Sequence, residues 1–280
     1  MANVLPMEKQ VRVIAALAEG NSIRSIERQT EVHRDTIMRL GVRIGEGCGR
    51  ILDSKMRGIA SNRIEVDELW GFIYCKQKTK DAGICTEETA GDVWTFVAID
   101  PDTKIVPCFR VGKRTLEHAN AFLYDLAGRL ENRIQLASDA LPAYAQAVEN
   151  AFGSEVDYGQ LIKQYAATDG ANYAERKYSP SEVVSTEKTV ITGMPNLDTL
   201  STSHVESQNL TVRMHVRRLT RLTNAFSKKL DNFKAAIGLH YAYYNLCKRH
   251  TTVRMTPAMA AGVERDFWTV ADLIEEASAK

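Results

Sequence analysis

Residues 63–152 set the architecture, because strand-like and helix-like stretches follow one another there in an order that few folds accept. RIEVDELWGFIYCK (63–76) is rich in β-branched and aromatic residues, DVWTFVAID (92–100) repeats that character, and Pro101-Asp102 turns the chain into KIVPCFRVG. Such residues fit a pleated, half-buried surface, so three successive strands are expected as an antiparallel meander. TLEHANAFLYDLAGRLE (115–131) then places Leu116, Ala119, Phe122, Leu123 and Leu126 at helical spacing behind Thr115 as N-cap. IQLASDA (134–140) reads as a short buried strand ending on an acid, and LPAYAQAVENAF as the next helix. Strands, helix, strand, helix predict an α/β chain with an α+β mixed sheet flanked by helices.

The flanks read differently. Residues 7–46 predict three short helices: Val11, Ile14, Ala15 and Leu17 form an apolar face on the first, Gly20-Asn21 stops it, and Ser22 caps a second with Ile23 and Ile26 inward. The third, HRDTIMRLGVRI, sets Ile37, Leu40 and Ile44 on one side and leaves Arg34, Arg39 and Arg43 on others. This is the layout of a helix-turn-helix with a basic third helix, and a small bundle used for dimerisation is the plainer alternative. Gly45, Gly47, Gly49 and the DSKMRG that follows predict a connector. Residues 163–203 are polar and turn-rich and predict a long connection, residues 231–248 predict a helix, and the chain ends in a short docking turn and an amphipathic helix.

The formal net charge of +1 hides an uneven distribution, with +3 on residues 1–57, +8 on residues 204–254 and −10 on the remainder. Basic ends around an acidic middle suit a protein that handles nucleic acid at its ends and cations in its centre. Hydrophobic content of 44% and charged content of 25% are ordinary for a globular chain. No apolar run reaches the roughly 18 residues of a membrane span. No secretory pattern opens the sequence, so a cytoplasmic location is expected. Cys48, Cys75, Cys85, Cys108 and Cys247 form an odd set without a CxxC pair, which argues against a disulfide framework and a structural zinc site.

Residues 204–229, HVESQNLTVRMHVRRLTRLTNAFSKK, carry the sharpest charge pattern. Read as one helix at about 100° per residue, Glu206, Asn209, Leu210, Arg213, Arg217 and Arg221 share a face, while Val205, Val212, Val216 and Leu219 form an apolar stripe. The plain account is an acid that complements the helix dipole and pairs with arginines on later turns. The functional account is a carboxylate at the head of a cationic row that lies along a polyanion. If the strand ending at Asp139 lies beside the first strand, Asp67 and Asp139 meet and Glu206 can close over them. Three carboxylates in one pocket repel one another unless a divalent metal joins them, and hard oxygen ligands suit Mg²⁺ or Mn²⁺, with two ions as the expected number.

VDELWGF, DVWTFVAID, GKRTLEHANAF, SDALPAY and the 204–229 motif, in this order, resemble the DDE transposases of the insertion sequence 1 type across roughly residues 64–246. The resemblance implies a ribonuclease H-like core with Asp67, Asp139 and Glu206 as catalytic, metal-binding triad. It divides the chain into a helix-turn-helix domain (1–57), a catalytic domain (58–250) and a C-terminal docking tail (251–280). It implies a transposase that binds the ends of an insertion element in double-stranded DNA, cleaves them and joins them to a target, acting as a homo-oligomer in the nucleoid. Arg34, Arg39, Arg43, Asn209, Arg213, Arg217 and Arg221 are the expected DNA contacts. The alternatives are a catalytically silent, transposase-derived DNA-binding regulator and a metal-dependent nuclease that cuts without joining.

Overall fold

The computed structural model describes residues 4–165, 183–220 and 223–279. Three helices open the chain: α1 (Met7–Ala18), α2 (Ile23–Thr30) and α3 (Arg34–Lys55). Ser22 caps α2 as expected, its hydroxyl accepting from the Ser25 amide at 3.2 Å. The buried face of α1 is centred on Val13, Ile14 and Ala18, rotated from the expected face so that Val11, Ala15 and Leu17 are only half-buried.

The expected connector is helix. Gly45, Gly47 and Gly49 all lie inside α3, which runs on to Lys55. Gly45 and Gly47 serve close approach: a Cβ at Gly45 would sit 2.1 Å from the carbonyl oxygen of Ala235. Two backbones touch there, and a side chain has no room. Ala235 belongs to α8 (Leu230–Ala242), which follows α7 (Ser203–His215). Ile14, Ile37 and Ile44 therefore share one buried core with Leu69 and Ile237, and the N-terminal helices pack directly on the rest of the chain. Gly20, at φ +79°, seats the α1–α2 turn against the end of α7, where a Cβ would lie 2.7 Å from the Met214 carbonyl oxygen. The final helix, α10 (Val270–Ser278), buries Leu273, Ile274 and Ala277 in the same core, behind the single turn α9 (Pro257–Ala260).

Among the described residues six strands form one mixed sheet: β1 (Arg63–Ile73), β2 (Gly91–Ile99), β3 (Phe109–Gly112), β4 (Ile134–Asp139), β5 (Val156–Tyr165) and β6 (Val183–Thr192), in the order β3-β2-β1-β4-β5-β6. The antiparallel meander β1-β2-β3 and the parallel placement of β4 beside β1 agree with the sequence. β5, which enters the stretch expected as a polar connection only with its last three residues, runs parallel to β4, and β6, wholly inside that stretch, runs antiparallel to β5. β6 was hidden by composition: VVSTEKTVIT is β-branched but exposed at nearly every position, as an edge strand can be.

Period-two alternation sorts the two faces of the sheet. Ile64, Val66, Phe96 and Leu136 pack under α5 (Leu116–Ala127) and α6 (Pro142–Phe152), while Leu69, Ile73, Val93 and Val97 join the core of α3, α7 and α8. Thr115 caps α5 by accepting from the His118 amide. A short helix, α4 (Gln77–Asp81), fills the β1–β2 connection. All five cysteines are free, and no helix among the described residues is long and apolar enough to cross a membrane.

Candidate metal centre

The site forms where β1 and β4 part. Their parallel pairing covers Arg63, Ile64 and Glu65 against Gln135, Leu136 and Ala137, and stops two residues short of Asp67 and Asp139. Alternation sends Asp67 toward α7 and Glu68 toward α6. The opening lets both reach the end of β4, so that Asp67, Glu68 and Asp139 each offer a carboxylate oxygen within 4.8 Å of the others.

The three acids have unequal surroundings. Glu68 is held by Arg114, whose Nε donates at 2.6 Å, and by the buried Tyr144 hydroxyl at 3.1 Å. Burial raises its pKa and Asp139 raises it further, while Arg114 and Tyr144 pull it back. Arg114 also stands 4.0 Å from Asp139 and covers Trp94 with its guanidinium 4.9 Å from the ring centroid. Asp67 accepts one side-chain hydrogen bond, from Asn209 Nδ2 at 2.8 Å. Burial raises its carboxyl to about 7, with Glu68, then Asp139 and Glu206, adding like-charge repulsion, against a lowering by the Glu68 backbone amide.

Helix α7 is locked onto this edge by Glu65. Its Oε2 accepts the His204 and Val205 amides at 2.8 and 3.0 Å, and its Oε1 meets His204 Nδ1 at 2.9 Å. A buried carboxylate at a helix N-terminus satisfies orphan amides and complements the dipole. The next residue after Val205, Glu206, is felt electrostatically at Asp67, but its own Oε1 is held by Lys163 Nζ and by the Thr202 hydroxyl at 2.6 Å. Asn209, buried, keeps its Oδ1 without a hydrogen-bond partner among the described residues.

The cationic row behind Glu206 is shorter than the sequence implied. α7 stops at His215, Val216 is extended (φ −93°, ψ 96°), and Arg217 sits on a separate 3-10 turn, Arg217–Leu219. Arg213 remains on α7, half-buried; Arg217 is exposed and off its face; Arg221 lies outside the described residues. The apolar stripe is real, since Val205, Val212, Val216 and Leu219 are all buried, but two elements carry it. Arg34, Arg39 and Arg43 are exposed on α3, with Arg43 donating to Gln10 Oε1 at 2.9 Å.

The structure thus brings Asp67 and Asp139 together as read, places Glu206 beside them on a lysine, sets Asn209, expected as a DNA contact, on Asp67, and adds Glu68, Glu65, Arg114, Tyr144 and Lys163. Arg114 and Tyr144 lie inside GKRTLEHANAF and SDALPAY, so the motifs held them although no spacing singled them out. No protein-family model matches the chain, and a search of curated proteins finds no significant match.

Proposed function

We propose that the chain is a DDE-type DNA transposase with a ribonuclease H-like core, in which Asp67 and Asp139, with Glu206, bind Mg²⁺ or Mn²⁺ for cleavage and transfer of DNA strands. The observation that carries this reading is the convergence of Asp67, Glu68 and Asp139 within 4.8 Å at the parting of two parallel strands.

The donor set fits a hard divalent cation. Asp67 is pushed up by burial and then by its acidic neighbours, and it has an amide rather than a cation as side-chain partner among the described residues, so a divalent ion held by Asp67 and Asp139 would answer an uncompensated charge. Glu68 is already answered by Arg114. When bound, the metal supplies Lewis-acid activation of a water or 3′-hydroxyl and of the phosphodiester under attack. The chain's own residues do the positioning: Asn209 orients Asp67, Glu65 fixes the start of α7, and Lys163 holds Glu206, which would join Asp67 and Asp139 in holding the metal. Arg34, Arg39, Arg43 and Arg217, all exposed, contact double-stranded DNA, and holding two element ends together calls for a homo-oligomer.

The Lys163–Glu206 pair favours a second reading, a silent DNA-binding regulator whose third acid is permanently engaged. A strand-transfer assay with labelled DNA ends and Mg²⁺ separates the two. The wild type cleaves and joins, and Asp67→Ala or Asp139→Ala lowers the rate by about 10³-fold or more while DNA binding persists. A wild type that binds ends yet leaves them uncut supports the regulator, and near-normal cleavage by either variant removes that aspartate from the centre.

A further inference from the structure

A cavity of about 540 Å³ opens where α1, α2 and α3 meet the end of α7 and the face of α8, and none of Asp67, Glu68, Asp139 and Glu206 lines it. Leu17, Ile37, Val216, Leu239 and the ring of Phe226 supply apolar walls. Arg24, Arg217, Arg218, Lys228 and Lys229 line it too, and no acidic residue does among the described residues. Four of these cations are exposed, but Arg218 is taken largely out of water. Its Nη1 donates to the Ser227 hydroxyl at 2.7 Å, and among the described residues no carboxylate pairs with it. A cation withdrawn from water without a counter-charge is unfavourable, and an entering anion offsets that cost.

His240 is the second sign of a ligand. It lines the cavity at 4% exposure, and among the described residues neither ring nitrogen has a hydrogen-bond partner. Burial, with His215 and Lys248 adding to it, lowers its pKa to about 3, so the ring is neutral and offers one donor and one acceptor. The His215 ring stacks on it at 6.2 Å.

We propose that this cavity is a nucleotide site: a heterocyclic base lies between the apolar walls and Phe226 with its polar edge on His240, and its phosphate meets Arg218 and the cations at the rim. A planar apolar body with a hydrogen-bonding edge and an anionic tail matches walls, histidine and cations together, and the volume lies within the range of small-molecule sites. The nucleotide comes either free from solution or as a base extruded from a DNA strand. The second source rests on the DNA reading above; the chemistry of the cavity does not.

The test uses the full-length protein in chelator, titrated calorimetrically with deoxyadenosine monophosphate and, separately, by fluorescence with a duplex carrying 2-aminopurine opposite a mismatch. Met38→Glu places an acid at the exposed rim, and Ala225→Trp fills the cavity from its loop side. Each is expected to weaken binding on the order of tenfold or more, whereas Asp139→Asn leaves it unchanged. Saturable binding of the free nucleotide with this pattern supports the site with a free ligand. A 2-aminopurine signal lost in Met38→Glu, without free-nucleotide binding, supports the strand as source. Binding by neither probe, binding indifferent to both cavity variants, or binding lost only in Asp139→Asn overturns the proposal. So does a dimer that Met38→Glu dissociates without any nucleotide effect, since a second copy then fills the cavity. Cleavage is not measured, so loss of the transposase reading leaves these outcomes interpretable.

Discussion

Arg129 and Asp67 are both charged and both drawn out of solvent, yet they are surrounded in opposite ways. Arg129, 5% exposed, donates to Asp125 twice at 2.9 Å, to Asp53 at 2.7 Å and to the carbonyls of Leu52 and Met56 at 3.1 and 3.2 Å. Those carbonyls close the end of α3, so one guanidinium ties that helix to α5 with its charge and donors satisfied. Asp67 has one side-chain donor and three acids of its own sign acting on it. The first arrangement is what stability asks of a buried charge. The second is unfavourable for the chain alone and makes sense for a site completed by something from outside.

The comparison breaks first at Arg129. Removing a saturated buried cation strands the Leu52 and Met56 carbonyls, while Asp53 and Asp125 keep Arg57 beside them, so Arg129→Ala is expected to lower unfolding free energy by about 2–4 kcal/mol in urea titration. A loss under about 1 kcal/mol would show that the pairings are interchangeable with water.

Asp67 should respond with the opposite sign. Its folded pKa of about 7 lies above the ordinary 3.8, so the folded chain keeps a proton that the unfolded chain gives up. The contribution of Asp67 to stability is full below about pH 4 and is lost as pH rises through 7. Asp67→Asn removes that slope, and in chelator at pH 8 it is expected to be more stable than the wild type by roughly 2–4 kcal/mol. Adding Mg²⁺ raises the wild-type thermal midpoint and leaves that of Asp67→Asn in place. A destabilised Asp67→Asn would mean that the acid, like Arg129, is a structural group.

These contrasts mark what a reader of the sequence can see. The meander and the caps at Ser22 and Thr115 were legible because each rests on local periodicity or a local hydrogen bond, whereas the place of β4 beside β1 stood only as a condition, since a crossover connection allows that pairing without fixing it. The continuation of α3 through three glycines was not, since glycine reads as a breaker until Ala235 is seen against Gly45. β6 was missed because an exposed edge strand has no buried face to betray it. Glu68 was missed for a subtler reason: alternation puts it on the opposite face from Asp67, and only the parting of β1 from β4 returns both to Asp139. The membership of a site at a strand end depends on where pairing stops, which no single strand encodes.

The smallest expected effect divides two arginines that the sequence had placed in one row. Arg213 remains on α7 and is half-buried, whereas Arg217 sits past the break at Val216 with its side chain in solvent. An exposed cation contributes little to folding, so Arg217→Ala is expected to leave stability within about 0.5 kcal/mol. If it contacts a phosphate, its removal releases one fewer counterion on binding and lowers the slope of log affinity against log salt by about one unit, uniformly across DNA sequences. Arg213→Ala, truncating a half-buried side chain, lowers the thermal midpoint as well. Measuring both variants across a salt series beside their midpoints decides whether the row still acts as one. An unchanged slope for Arg217→Ala would confine DNA contacts to the side of the break that carries Glu206, and equal slopes with unequal midpoints would show that the break alters packing without interrupting the track along which the strand lies.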